Sequence, residues 1–264
     1  TPLDATRPIK SGRFTINDFK PQHRVMNLSE VFMHSSNIGS VRLAELVGRE
    51  RQREFLARAG LLRAPSFELP ENSQPQVPAP WREISMMTVS YGHGISLSPL
   101  ALSASTAAMV NGGIYRAPTV LRREPGVAVP GERVVSQRTS EQMRRLMRLV
   151  VEKGTAKSAN VPGYLVGGKT GTAEKISGGG YRKDARISSF VGAFPMNSPK
   201  FLVYMMLDEP KGNKSTYGYA TAGWVVAPTI QRIVSRIAVL YGLPPQDEAA
   251  PEVRDRMLIN VAVR

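Results

Sequence analysis

The chain contains no cysteine and only three histidines among its 264 residues. The absence of cysteine excludes disulfide bonds, thiolate metal sites and cysteine nucleophiles. No apolar run approaches the roughly 20 residues that a membrane-spanning helix needs. The length suits one large domain or two small ones with a buried core.

The chain has few acidic residues: 21 Asp and Glu stand against 35 Lys and Arg, which gives a net charge of +14. Such an excess attracts anionic partners, so a polyanion-binding protein is one hypothesis. The basic residues are scattered, however, and no aromatic ladder, zinc-finger spacing or RNA-binding motif accompanies them. We therefore interpret the charge as a generally basic surface and predict no nucleic-acid partner.

Hydrophobic periodicity predicts helices in the first part of the chain. Asn27 and Glu30 have the spacing of a capping box, and Gly48 and Gly60 are predicted ends of the two helices that follow. Ser98 is the predicted cap of a helix that ends at residues 111–113. A later helix is expected to begin at Thr139 and to end at Gly154.

The second part of the chain predicts a sheet. Strands are expected at 164–166, 172–176, 187–194 and 201–207, separated by turn residues. They are followed by a long helix over 224–241, whose inward residues are expected to be Ile230, Ile233, Val234, Ile237 and Leu240. The proline-rich and charged segment 243–264 is expected to be a C-terminal tail. Helices followed by strands, without a βαβ repeat, predict the α+β class.

Two polar clusters are candidate functional sites. Ser35-Ser36-Asn37 lies between two predicted helices, where a simple helix start is the alternative interpretation. Gly167-Gly168-Lys169-Thr170-Gly171-Thr172 joins two predicted strand segments, where a glycine bend with a solvated lysine is the alternative. Residues two apart in a strand share a face, so we expect the Thr170 and Thr172 hydroxyls and the Lys169 ammonium to form a carboxylate-binding face.

Taken together, Ser35-Ser36-Asn37 and Lys169-Thr170-Gly171 resemble two of the three signature motifs of penicillin-binding proteins and serine β-lactamases. The segments 92–100, 109–113 and 168–175 also resemble class B penicillin-binding proteins, especially the cell-division transpeptidases of alphaproteobacteria. The resemblance covers roughly residues 1 to 242. It implies an antiparallel sheet flanked by helices (about 160–242) plus a helical subdomain (about 26–112), with a cleft between the Lys169 strand and the Ser35 loop.

The resemblance also implies a reaction, which is serine acyl transfer between peptidoglycan stem peptides, inhibited by β-lactams. In that reaction Ser35 would relay a proton to the leaving group, and Asn37 would position the substrate amide and a catalytic lysine. Lys169 would supply positive potential, while Thr170, Gly171 and Thr172 would bind the substrate, with the Thr172 N–H in the oxyanion hole. No metal and no cofactor is implied. The implied partners are stem peptides, β-lactams and division-complex proteins.

The third family motif, Ser-x-x-Lys, contains the nucleophile, and no serine of this chain has a lysine three positions later. In the family this motif precedes Ser-x-Asn by more residues than the 34 that precede Ser35. We therefore expect a transpeptidase domain that is incomplete at its N-terminus and inactive alone. Its parent would face the periplasm and be anchored in the inner membrane by a preceding segment.

Three other functions stay open alongside the transpeptidase. A D,D-carboxypeptidase or a β-lactamase would deliver the acyl group to water instead of an amine, although the matches at 92–100 and 109–113 disfavour both. A non-catalytic module that binds β-lactams or muropeptides, or that acts as a division scaffold, would not need the missing nucleophile.

Overall fold

The computed structural model describes residues 1–12, 14–124, 126–177 and 180–259. The chain divides into two compact units, Thr1–Glu141 and Gln142–Arg264. Helices are the main regular elements of the first unit, and a sheet followed by helices forms the second, so the α+β prediction is confirmed. Within the described ranges, no helix has the length and apolar character needed to cross a membrane.

The first unit contains five helices and three short antiparallel strand pairs among its described residues. The helices are α1 (Leu28–His34), α2 (Asn37–Val47), α3 (Arg49–Arg58), α4 (Glu83–Val89) and α5 (Pro99–Val110). The strand pairs are β1 (Leu3–Asp4) with β4 (Val25–Met26), β2 (Ile9–Ser11) with β3 (Phe14–Ile16), and β5 (Ile114–Tyr115) with β6 (Glu132–Arg133). Helix α6 (Gln137–Glu152) runs from the first unit into the second.

The core of the first unit forms around α2, where Val41 is completely buried and packs with residues of β1, β4, α1 and α4. Helices α1 and α2 approach closely, because a side chain at Gly39 would collide with both methyl groups of Val31. Glycine at this position therefore lets the two helices cross directly beside the turn that joins them.

Several local sequence signals of the first unit are confirmed. Asn27 and Glu30 form the expected capping box: the Asn27 side chain accepts from the Glu30 N–H at 3.0 Å, and the Glu30 carboxylate accepts from the Asn27 N–H at 2.8 Å. Gly48 ends α2. The expected start of α6 was wrong, because Ser136 is the residue whose hydroxyl accepts the Thr139 N–H, and the helix begins at Gln137. Helix α4 was not predicted.

The second unit is built on an antiparallel sheet of strand order β7–β8–β9. These strands are Gly167–Ser177, Gly180–Phe194 and Phe201–Asp208, followed by α7 (Ala222–Val225), α8 (Ala227–Leu240) and α9 (Pro251–Met257). The two strands expected at 164–166 and 172–176 are replaced by the single strand β7. The expected helix over 224–241 is two helices, with Pro228 in the first turn of α8.

The burial of α8 follows its sequence pattern except at the C-terminal end. Ile230 and Val234 are completely buried, as predicted. Leu240 was expected to face inward but is 79% exposed, because the helix ends there and Tyr241 is its C-cap.

A buried arginine joins separate parts of the second unit. Arg148 of α6 is 2% exposed, and its guanidinium donates to the Glu152 carboxylate, to the Asn160 side chain and to the Val166 carbonyl. It also donates to the Glu248 carboxylate at 2.7 Å, 100 positions later in the chain. Helix α6, the approach to β7 and the C-terminal segment are therefore connected by one side chain.

The segment that was expected to be a tail packs on the second unit over its described part. Leu243 and Met257 are buried, and residues 251–257 form α9. The Gln246 N–H donates to the Gly163 carbonyl at 2.8 Å. Residues 260–264 lie outside the described residues.

We expect Gly168→Ala to lower the free energy of unfolding by about 1–3 kcal/mol, because the added methyl group would overpack the sheet. It would collide with the Phe190 ring and lie 2.7 Å from the Val191 carbonyl oxygen. Gly171→Ala on the same strand is the control, since its methyl group meets only the Ser189 hydroxyl, at 2.9 Å. Urea denaturation measures both, and equal losses would contradict the packing argument.

Candidate active site

Ser35 occupies a turn that few side chains adopt. It is the C-cap of α1 with φ 57° and ψ 46°, in the left-handed region, where a non-glycine residue carries a strain of about 1–2 kcal/mol. The strained backbone leaves Ser35 exposed, between two helices that are themselves well packed. Left-handed non-glycine residues cluster at functional sites, where the surrounding structure holds them in place.

The neighbouring Ser36 and Asn37 are held by residues 17 and 18. Ser36 is buried and is the N-cap of α2: its hydroxyl accepts from the Gly39 N–H at 2.9 Å and donates to the Asp18 carboxylate at 2.7 Å. The other Asp18 oxygen accepts from the Ile38 N–H at 3.0 Å. The Asn37 amide donates to the Asn17 carbonyl at 2.8 Å, which uses one of its two N–H donors.

The helix-start interpretation and the functional interpretation of this cluster therefore apply to different residues. Ser36 performs the capping role, whereas the exposed Ser35 and the half-buried Asn37 project from the turn. Sequence reasoning missed Asp18, since a carboxylate 18 positions from its serine partner leaves no local pattern.

Lys169, Thr170, Gly171 and Thr172 lie on β7. Among the described strands β7 has a neighbour on one side only, so it is the edge of its sheet. Edge strands present backbone N–H and C=O groups that the sheet does not use. Gly171 and Thr172 are exposed at this edge, where a peptide or a carboxylate can reach them.

The two hydroxyls share one face of β7, as expected, but the lysine does not. Lys169 and Thr170 are adjacent in a regular part of the strand, so their side chains leave it on opposite faces. The Lys169 ammonium returns to the strand by donating to the Thr170 carbonyl at 3.0 Å. The ammonium is therefore in contact with the strand backbone.

Burial lowers the pKa of Lys169 from its ordinary value of 10.5 to about 8. Desolvation disfavours the charged form, so the lysine is mainly protonated at pH 7 and loses its charge as the pH rises through 8. A desolvated cation of this kind attracts an anion strongly, and a shifted pKa of this size is typical of functional lysines.

The threonine hydroxyls are oriented by loops of the second unit. Thr170 Oγ1 lies 2.6 Å from Thr155 Oγ1, in the loop after α6. Thr172 Oγ1 accepts from the Ala222 N–H at 3.1 Å, at the start of α7, and that bond leaves the hydroxyl proton available for a ligand. Tyr217 and Tyr219, just before α7, pack their rings against Trp224 within that helix, and all three side chains are partly exposed. The sequence analysis did not predict this aromatic cluster.

The predicted site residues thus form two groups. Ser35 and Asn37 belong to the first unit and flank the buried Ser36, whereas Lys169, Thr170, Gly171 and Thr172 are consecutive on β7 of the second unit. Chemically, the first group offers an exposed hydroxyl and an amide. The second offers a cation, two hydroxyls and a strand edge.

Residues 4–231 match the penicillin binding protein transpeptidase domain, and the chain belongs to this family. It is 41% identical over 255 residues to the probable peptidoglycan D,D-transpeptidase FtsI of Caulobacter vibrioides, which covers 93% of this chain and 43% of the relative. It is 30% identical to the stage V sporulation protein D of Bacillus subtilis over 85% of this chain and 36% of that protein. The chain thus spans less than half the length of these relatives.

Solved structures show the same fold. The transpeptidase domain of Burkholderia pseudomallei penicillin-binding protein 3 matches with a TM-score of 0.85 and 31% identity, over 94% of this chain and 74% of that one. Penicillin-binding protein 3 of Mycobacterium tuberculosis, solved in complex with ampicillin, matches with a TM-score of 0.82 and 28% identity, over 96% and 59%. The predicted penicillin-binding-protein fold is confirmed.

We expect Asp18→Ala to lower the free energy of unfolding by about 1–3 kcal/mol, because it leaves the buried Ser36 hydroxyl and the Ile38 N–H without their acceptor. Asp4→Ala is the control, since that carboxylate is exposed and accepts hydrogen bonds from the nearby Thr6, and a change within about 0.5 kcal/mol is expected. Urea denaturation of Asp18→Ala, of Ser36→Ala and of the double variant measures the coupling energy between the two side chains. If the two single losses add up to the loss of the double variant, the proposed hydrogen-bond coupling is contradicted.

We expect the Lys169 ammonium to titrate near pH 8 and the Lys175 ammonium above 10.5. Burial lowers the first pKa, whereas hydrogen bonds to Glu209 and Asp208 raise the second. NMR of chain labelled at the lysine ε-carbon follows both titrations, and Lys169→Arg assigns its signal by removing it. Titration of the two lysines together above pH 10 would show that Lys169 is hydrated.

Proposed function

We propose that this chain is the larger part of the transpeptidase domain of a peptidoglycan D,D-transpeptidase. The enzyme cross-links stem peptides at the division septum by serine acyl transfer and is inhibited by β-lactams. Family membership and the 41% identity to the Caulobacter relative support this assignment. The observation that carries it is the edge strand β7, where the desolvated Lys169 ammonium and the Thr170 and Thr172 hydroxyls lie within four positions.

The chemistry of β7 suits the C-terminal end of a stem peptide. An extended peptide can add to a strand edge through main-chain hydrogen bonds. Its terminal carboxylate can then accept from the Thr170 and Thr172 hydroxyls in the field of the Lys169 ammonium. A β-lactam that carries a carboxylate would use the same groups.

Each remaining site residue has a proposed role. Ser35 relays a proton to the leaving group, and its position on a strained turn keeps its side chain exposed. Asn37 positions the substrate amide and a catalytic lysine through the amide groups that its bond to Asn17 leaves unused. The Thr172 backbone N–H contributes to the oxyanion hole, and one such donor is worth about 2.7–4 kcal/mol in the transition state.

No Ser-x-x-Lys sequence occurs among the 264 residues, so we assign none of them as the nucleophile. We propose that the acylated serine and its lysine belong to the same protein and lie outside the 264 residues. The chain alone is then inactive. A non-catalytic module that binds β-lactams or muropeptides is the alternative, and the missing motif is what favours it.

The proposal also covers the cellular location of the protein and its binding partners. We propose that the protein is anchored in the inner membrane, that this domain faces the periplasm, and that it meets division-complex proteins there. Peptidoglycan stem peptides are its substrates. The solved complex of the Mycobacterium tuberculosis relative with ampicillin supports β-lactams as ligands.

Intact-mass measurement before and after addition of benzylpenicillin tests the proposal. The complete product of the gene is expected to gain the mass of one penicillin, whereas the 264-residue chain gains none. In the complete protein, Lys169→Ala is expected to slow acylation by at least about 100-fold, because both the carboxylate and the proton relay lose their cation.

Ser235→Ala supplies a control, since the Ser235 hydroxyl bonds to a carbonyl of its own helix and its loss should not alter labelling. Complete protein that stays unlabelled would support the non-catalytic module instead. Labelling of Lys169→Ala at the normal rate would refute the role of β7.

A further inference from the structure

We propose that the C-terminal segment Leu243–Glu248, which lies beyond the part of the chain matched by the family, is a strap that positions β7, and that Glu248 is its positioning residue. The strap acts on the strand through the buried Arg148 guanidinium. The inference depends on the proposed function only in giving β7 the substrate-binding residues.

The strap is connected to the strand by one buried side chain, Arg148. Glu248 accepts from Arg148 Nη2 at 2.7 Å, while Arg148 Nη1 donates to the Val166 carbonyl at 2.9 Å. Val166 is the residue before β7 and is 1% exposed. One guanidinium therefore bonds to the strap and to the entrance of the strand that carries Lys169, three residues further on.

The second Glu248 oxygen fixes the loop that leads into β7. It accepts from the Gly163 N–H at 2.7 Å, and the Gly163 carbonyl in turn accepts from the Gln246 N–H at 2.8 Å. Gly163 has φ +83°, and a side chain there would meet Pro245 at 2.8 Å, so the strap lies directly against the loop. Gln246 also bonds to Asn197, in the turn after β8, with Asn197 Nδ2 donating to Gln246 Oε1 at 2.6 Å.

The geometry leaves β7 little freedom at its first residues. Gly167 packs so closely on α6 that an added Cβ would lie 3.0 Å from the Arg148 backbone nitrogen. The same helix thus contacts β7 through its backbone and binds the Val166 carbonyl through its side chain. Without the Glu248 carboxylate, the Arg148 side chain would lose its strap partner, and the Val166 bond would lose an anchor in the rest of the unit.

Hydrogen exchange at the backbone amides of 164–172 tests the strap in the 264-residue chain. We expect Glu248→Ala to raise these rates by about tenfold or more, because local opening of the strand becomes easier. Glu248→Gln, which keeps the side-chain shape and one acceptor oxygen, should have a smaller effect in the same direction. Asp255→Asn in the nearby helix α9 is the control, since the carboxylate of Asp255 is 76% exposed.

The Lys169 pKa separates positioning from simple electrostatics. Removal of a carboxylate by itself lowers the pKa of a lysine, whereas loosening of β7 hydrates the ammonium and raises it. We expect the NMR titration of Lys169 to move upward in Glu248→Ala and to stay in place in Asp255→Asn.

Unchanged exchange at 164–172 and an unchanged or lowered Lys169 pKa, in a variant that circular dichroism shows to be folded, would overturn the strap. Penicillin labelling plays no part in these readouts. Failure of the strap would therefore leave the proposed function standing, and failure of the function would leave the strap testable.

Discussion

The second unit depends on one buried cation. Arg148 brings a full positive charge into a nearly inaccessible position, which is unfavourable unless every donor finds a partner. Its partners are two carboxylates, an amide oxygen and a backbone carbonyl from four separate parts of the unit. Those four parts cannot move independently without exposing or orphaning the guanidinium. The start of β7 is therefore held in place as well, because β7 begins one residue after Val166, whose carbonyl binds Arg148.

The first unit solves a similar problem with a buried anion. Asp18 bonds with one oxygen to the Ser36 hydroxyl and with the other to a backbone N–H at the start of α2, where the helix dipole favours negative charge. This arrangement fixes the turn from behind, so that the strained Ser35 can stay exposed. In both units the residues proposed to act on substrate are therefore supported by buried charges that never need to touch it.

The sequence could predict what depends on near neighbours. The capping box at Asn27, the end of α2 at Gly48 and the two family motifs were all recoverable, because their partners lie within a few positions. Asp18 with Ser36 and Arg148 with Glu248 were not, since 18 and 100 residues separate the partners. The segment 243–264 illustrates this limit. Its proline and charge content predicted a tail without tertiary contacts, whereas the Glu248 carboxylate binds Arg148, which is distant in the sequence.

Lys169 is the site residue whose position differs from the prediction, which placed its ammonium on the same strand face as the two hydroxyls. A cation beside two hydroxyls on one strand face would be a simple anion site, yet strand alternation sends the lysine to the opposite face. The ammonium gives up hydration, which lowers its pKa, and bonds to the strand's own carbonyl. A lysine placed this way contributes its field to the strand edge without occupying the hydroxyl face. Ligand and cation can therefore be close while the hydroxyls remain available, which suits the carboxylate binding and the proton relay that we propose.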